Sequence, residues 1–199
     1  MAELNAEYWN NRYLQHDTPW DIGHVSTPLR NLFDHLTNKQ VPLLIPGAGR
    51  AHEAIYLHQQ GFTNVWVCDW APEAFAFLRK QAPDFPADQL LVQDFFALSG
   101  SYELIVEQTF LSALPPALRP RYVRKMWELL TDDGYVAGVL FNEEFEHSGP
   151  PYGGTKATYE DLFRPYFHLE EWHEAGDSIT PRRGRELFLR FRKKQMPDT

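Results

Sequence analysis

Apolar positions change their period several times along the chain, and each change marks an element. Leu29, Leu32, Phe33 and Leu36 recur at i, i+3, i+4 and i+7, the stripe of an amphipathic helix. Thr27 offers a cap ahead of that helix, and Pro28 suits its first turn. VPLLIP (41–46) is continuously apolar and too short for a helix, as expected of a strand covered on both faces. Helical spacing returns in RAHEAIYLHQQ, with Ala51, Ala54 and Ile55 on one face and Gly61 as the stop. The strand NVWVCD follows, then a helix over APEAFAFLRKQA opened by Pro72. DQLLVQD and YELIVEQ read as strands, PALRPRYVRKMWELL as a helix, TDDG as a turn and YVAGVLFN as a fifth strand. A helix over TYEDLFRPY precedes the last two strands, HLEEWHEA and RELFLRFRKK.

Strands alternating with helices predict an α/β fold, a parallel sheet with helices on both faces. The last two strands are joined by GDSITPRRG alone, with no helix between them. That predicts a hairpin, hence seven strands, six of them parallel and one antiparallel at the edge. The opening stretch, EYWNNRYLQHDTPWDIG, is aromatic and polar and reads as a helix followed by a loop. One domain over 1–199 is expected, with a lid and helices in 1–40 and the core in 41–199.

Ligands of such sheets sit at the carboxyl ends of the strands, where the strand order reverses. The first turn here is PGAGRAHE. Gly47 and Gly49 allow a sharp bend and a close approach of backbone to ligand. Asp69 ends the second strand about 20 residues later, where a carboxylate can accept both hydroxyls of a ribose. A dinucleotide site wants a third glycine, and His52 stands in that place. Pyrophosphate is therefore disfavoured, and with it a nicotinamide oxidoreductase. S-adenosylmethionine carries no phosphate and suits the short turn. Asp94 and Phe95, after the third strand, fit an acid for the adenine amino group and a support for its ring. Trp9, Tyr13 and Trp20 form an aromatic cluster in the opening segment. Plainer roles compete in each case: glycines for turn geometry, Asp69 and Asp94 as helix caps, Phe95 as core and the aromatic trio as packing.

Composition narrows the function. The chain has 199 residues, 43% of them hydrophobic, enough to bury a core in one domain. A formal charge of −8 argues against a nucleic-acid partner. No apolar run is long enough for a membrane span, and the polar N-terminus lacks a signal-peptide apolar region. Cys68 is the only cysteine, so neither an intrachain disulfide nor a cysteine-based zinc site can form, and a cytoplasmic location is expected. The eight histidines show no metal-binding spacing, and His24, His52 and His58 read as surface or packing residues. No metal is expected; a small-molecule substrate and a monomer are.

Several stretches occur in a fixed order: YWNNRY…DTPWDIG, LLIPGAGRAHEAIYL, VCDWAPEAF, DFF, EQTFLSALPPALRPRYVRKMWELL and SGPPY…TYEDLF. Together they resemble the thiopurine S-methyltransferase superfamily, and are most similar to its halide/thiol methyltransferase branch and bacterial relatives. The resemblance implies a seven-stranded Rossmann-like methyltransferase sheet with S-adenosylmethionine as donor and S-adenosylhomocysteine as product. Trp9, Tyr13 and Trp20 match aromatic positions that enclose the donor, Tyr13 standing where a Trp is common. Gly47, Asp69, Asp94 and Phe95 match the remaining donor contacts. Gln108 stands where members carry a Tyr or an Arg near donor and acceptor; without that Arg, thiopurine methylation is disfavoured.

Methyl transfer to a small soft nucleophile (a thiolate, hydrosulfide, halide or thiocyanate) is thus the expected reaction. Such an anion needs positioning and enclosure rather than a base, so no catalytic residue is assigned. Tyr152, in GPPY, either lines the acceptor pocket or is an ordinary loop residue. Arg182, Arg183 and Arg185 resemble a basic turn of the family; Arg183 stands for it as an acceptor contact, against a solvated hairpin tip. Glu107, at the end of the fourth strand, either meets the donor's ammonium or stands in water. A larger amine or hydroxyl acceptor and a non-catalytic S-adenosylmethionine-binding protein are the alternatives.

Overall fold

The sheet is built outward from its most buried strand. β1 (Leu43–Pro46) has no exposed residue in the computed structural model, which describes residues 4–195. β2 (Val65–Asp69) and β3 (Leu90–Val92) lie on one side of it in parallel. β4 (Tyr102–Gln108) and β5 (Leu130–Phe141) lie parallel on the other. β6 (Phe167–Glu174) and β7 (Glu186–Lys193) complete the order β3-β2-β1-β4-β5-β7-β6. The chain leaves β1 in one direction and β4 in the other, which opens a crevice at their carboxyl ends.

One strand is antiparallel, as expected, but it is not at the edge. β7 pairs antiparallel with both β5 and β6 and so lies one place in, leaving β6 outermost. Apolar content explains the exchange. β7 buries Leu187, Leu189 and Phe191, whereas β6 presents His168, Glu170, Glu171 and His173 to solvent. The apolar strand takes the doubly paired place, and the charged one blunts the edge against further pairing.

Side chains alternate between the sheet faces and divide the core in two. Leu43, Ile45, Val67, Leu104 and Val106 face α2 (Thr27–Asp34), α3 (His52–Gln59) and α4 (Ala76–Gln81), which contribute Phe33, Leu57 and Leu78. Leu44, Cys68, Ile105 and Leu189 face α5 (Arg119–Leu129) and α6 (Lys156–Phe163), which contribute Tyr122, Met126 and Phe163. α1 (Ala6–Leu14) buries no residue fully and lies outside both layers.

Two local expectations shift. Ser26, not Thr27, is the N-cap residue of α2. The TDDG segment falls inside β5 as a bulge: Leu130 pairs with Tyr102 and Tyr135 with Leu104, so 131–134 have no partners on β4. No described helix is long and apolar enough to cross a membrane.

Candidate active site

The glycine turn after β1 requires left-handed backbone at three positions. Gly47 and Gly49 have φ of 58° and 55°, and Ala51, at the start of α3, has φ of 56°. The turn closes on the end of β2. One carboxylate oxygen of Asp69 accepts from the Gly49 amide at 3.0 Å, and the other accepts from Ala71 at 2.9 Å. Asp69 is 8% exposed, and burial pushes its carboxyl up to about 6 against the help of those amides. A carboxylate oxygen accepts more than one hydrogen bond, so both remain able to receive a diol.

A roof of aromatics covers this turn. Trp20 meets Trp9 edge-on at 5.4 Å and Tyr13 edge-on at 5.9 Å. A Cβ placed on Gly49 would lie 3.1 Å from the Tyr13 hydroxyl, so the roof reaches the turn itself. Burial, and after it the Asp69 carboxylate, raises the Tyr13 phenol far above its ordinary range. The roof is fastened at several points. Asn10 accepts from the Glu73 amide at 3.0 Å, just beyond β2. Asp21 meets Arg50 at 3.1 Å and His52 at 2.8 Å, and those hydrogen bonds and charges hold its carboxyl below the ordinary value despite burial.

The floor is completed from β3 and β4. Phe95 is 4% exposed and meets Phe110 and Tyr122 at 5.5 and 5.3 Å. The Asp94 side chain accepts from the Phe96 amide at 2.9 Å, so it caps the short 3-10 turn Phe95–Ala97. Glu107 is fully buried. It accepts from the Leu111 amide at 3.2 Å and from the Tyr122 hydroxyl, and burial pushes its carboxyl up to about 7. It shares the face of Ile105 and braces the turn after β4 against α5. The reading of Glu107 as a strand-end acid in water is thereby overturned. Gln108 points to the opposite face, where its amide oxygen accepts from the Ser26 hydroxyl at 2.8 Å.

The Tyr152 loop is docked rather than loose. The Tyr152 amide donates to Ser112 at 2.7 Å, and Arg119, 9% exposed, donates to the carbonyls of Tyr152 and Gly153 at 3.1 and 2.9 Å. Arg183 is exposed. Its neighbour Arg182 turns inward and donates to the Trp20 carbonyl at 2.7 Å.

The structure therefore gathers Trp9, Tyr13, Trp20, Gly47, Gly49 and Asp69 at one place, with Phe95 in the adjoining floor. Tyr152 and Arg183 lie on separate loops outside that group. The roles of three participants escaped the sequence reading. Phe110 packs so closely on Gly47 that a Cβ there would lie 2.1 Å from its ring. His52 fastens the lid instead of merely filling space, and Arg182 ties it to the far hairpin. The departure of His52 from the third-glycine position was the available signal for the second; nothing local signalled the others. Among the described residues no His, Cys, Asp or Glu group could hold a metal ion.

This crevice, with its glycine turn, strand-end acid and aromatic roof, on a sheet of six parallel strands and one antiparallel, defines an S-adenosylmethionine-dependent methyltransferase. A solved structure of Burkholderia thailandensis 1,6-didemethyltoxoflavin-N1-methyltransferase, with bound 1,6-didemethyltoxoflavin and S-adenosylhomocysteine, shares the fold. It has a TM-score of 0.74 and 18% identity, over 96% of this chain and 88% of that one. The chain belongs to the thiopurine S-methyltransferase family, whose model matches residues 4–196. It is 26% identical to thiocyanate methyltransferase 1 of Brassica oleracea, over 93% of this chain and 84% of that protein. It is 25% identical to the thiopurine S-methyltransferase of Marinobacter nauticus, over 82% of each. The residues present fit the donor: the turn whose Cβ space Tyr13 and Phe110 fill is open only to glycine, and the Asp69 carboxylate stands beside it.

Proposed function

We propose that this protein methylates a small soft nucleophile that reaches the site as an anion, a thiolate, hydrosulfide, thiocyanate or halide. The observation that carries this reading is the fastened aromatic roof over the glycine turn, beside which two candidate bases among the described residues are held by protein partners. His52 is engaged by Asp21, and Glu107 by Tyr122 and Leu111. A hydroxyl acceptor would have to give up a proton to a base as it attacks, and an amine would have to arrive unprotonated; a soft anion needs neither. The relatives named for thiocyanate and thiol methylation in Brassica oleracea and Arabidopsis thaliana support the same acceptor class.

The bound donor supplies an electrophilic methyl on a positively charged sulfur. This chain's residues supply everything else. Asp69 orients the ribose, and the backbone of Gly47 and Gly49 permits close approach. Phe95 supports the adenine ring, with Asp94 at its edge. Trp9, Tyr13 and Trp20 exclude water and offer π-faces to the sulfonium. Gln108 and Tyr152 border the acceptor, and Arg183 draws anions from solution. Holding nucleophile and methyl carbon at about 3–3.5 Å in line supplies much of the acceleration in a displacement of this kind. The buried free thiol of Cys68 accords with a reducing compartment, and we assign the protein to the cytoplasm as a single domain.

The test is S-adenosylhomocysteine formation with iodide, hydrosulfide, thiocyanate, an aromatic thiol, a thiopurine, an amine and an alcohol. Turnover confined to the soft nucleophiles is expected. Turnover of the amine or alcohol alone would overturn the acceptor assignment, and tight donor binding without turnover would point to a sensor.

A further inference from the structure

The hairpin between β6 and β7 carries a buried ion pair whose remaining donor leaves the hairpin altogether. Glu186, at the start of β7, is 2% exposed. One of its carboxylate oxygens accepts from Arg182 Nη1 at 3.0 Å, and the other from the Ser178 hydroxyl at 2.6 Å. Ser178 is itself 1% exposed. The Arg182 guanidinium is held further over the Phe141 ring, 5.2 Å from its centre. With one nitrogen fixed on Glu186, Nη2 reaches the main-chain carbonyl of Trp20 at 2.7 Å, across 162 positions of sequence. Trp20 is the residue at which Trp9 and Tyr13 meet. The same hairpin also holds α2, through Asp177 and Asn31 at 2.6 Å.

We propose that Arg182 is a positioning residue, a latch that fastens the aromatic roof to the acceptor-side hairpin, with Glu186 and Ser178 as its fixed base. This deepens the proposed function and rests on its reading of the roof as the donor's cover. It also separates the arginines of the basic turn. Arg182 is occupied and only 12% exposed at its side chain, Arg185 is exposed but paired with Glu143, and Arg183 is exposed to meet an arriving anion. Enclosure of the donor is thereby linked to the arrangement of the far rim of the site. The planar fork of an arginine is required, because a lysine can keep the Glu186 contact but cannot hold that geometry and reach the Trp20 carbonyl as well.

Arg182→Lys is therefore the informative variant: it preserves the buried charge pair and removes the latch. Two readouts test it, amide hydrogen exchange across residues 6–21 without donor and calorimetric affinity for S-adenosylhomocysteine. Lid exchange should rise by about tenfold, in line with loss of one hydrogen bond to a charged group. Affinity for S-adenosylhomocysteine should weaken by a similar factor, and the donor KM should rise with little change in kcat. β5 and β7 should keep their protection. Unchanged exchange in 6–21 would overturn the latch, and a raised acceptor KM in its place would make Arg182 an anion contact. If protection is lost in β5 and β7 too, Glu186→Gln, which keeps the shape of the base, replaces it; the same lid-confined loosening supports the latch, and its absence refutes it. Wild-type protein that binds no S-adenosylhomocysteine would refute the donor reading instead, while the exchange comparison would still judge the latch.

Discussion

Asp69→Asn should separate stability from donor binding. The folded protein raises this carboxyl from 3.8 to about 6, with burial as the leading cause. At 1.36 kcal/mol for each tenfold change in proton affinity, keeping Asp69 ionised at neutral pH costs the fold about 3 kcal/mol. The sign follows from the direction. The folded protein holds this proton more tightly than the unfolded chain, so its contribution to stability is complete below about pH 4 and lost as pH rises through 6. An asparagine never ionises and escapes that cost. Against this, the amide nitrogen cannot accept, so one of the bonds from Gly49 and Ala71 is lost, at about 1–3 kcal/mol. The two nearly cancel at pH 7.5, and the urea midpoint should move little. Donor affinity has no such compensation. A carboxylate that accepts ribose hydroxyls contributes about 1.5–3 kcal/mol for each bond to a charged group, so binding should weaken by at least about tenfold. Urea titration at pH 5 and 7.5, beside calorimetry with S-adenosylhomocysteine, measures both. A variant that loses more than about 4 kcal/mol of stability while binding the ligand as tightly as before would refute this account and leave Asp69 as a cap.

Other substitutions probe neighbouring parts. Gly47→Ala combines positive φ with a methyl 2.1 Å from the Phe110 ring, so stability and donor affinity should both fall; Phe110→Ala in the same chain should restore part of each if the clash is the cause. Trp20→Ala should weaken S-adenosylhomocysteine binding, by calorimetry, well beyond any change in melting temperature; a loss of stability alone would make Trp20 mere packing. Glu107 is raised by burial from 4.5 to about 7, so its contribution to stability is lost as pH rises through that window. Glu107→Gln should flatten that part of the profile in urea titrations at pH 5 and 8; an unchanged slope would refute the assignment.

The hydrophobic pattern by itself determined much of this protein. Runs such as LLIP and LIV cannot stay in water, and helical stripes such as Leu29, Leu32 and Phe33 must cover them. Seven strands with a final hairpin followed, as did the glycine turn and the acid about 20 residues beyond it, because local backbone needs fix residue types at short range. The resemblance to a known family brought Trp9, Tyr13 and Trp20 forward, although only the tertiary structure seats Tyr13 against Gly49 and gathers the two tryptophans beside it. It likewise decided the place of β7: a hairpin says that two strands are neighbours but not which is outermost, and that depends on the burial each gains beside β5. Glu107 and Gln108 are adjacent in sequence yet serve opposite faces, one bracing Tyr122 and the other receiving Ser26. The latch lay furthest from view. The Trp20 carbonyl has no side-chain signature, and its partner Arg182 is one of three similar arginines, distinguished from the others only by the buried carboxylate that the fold sets beside it.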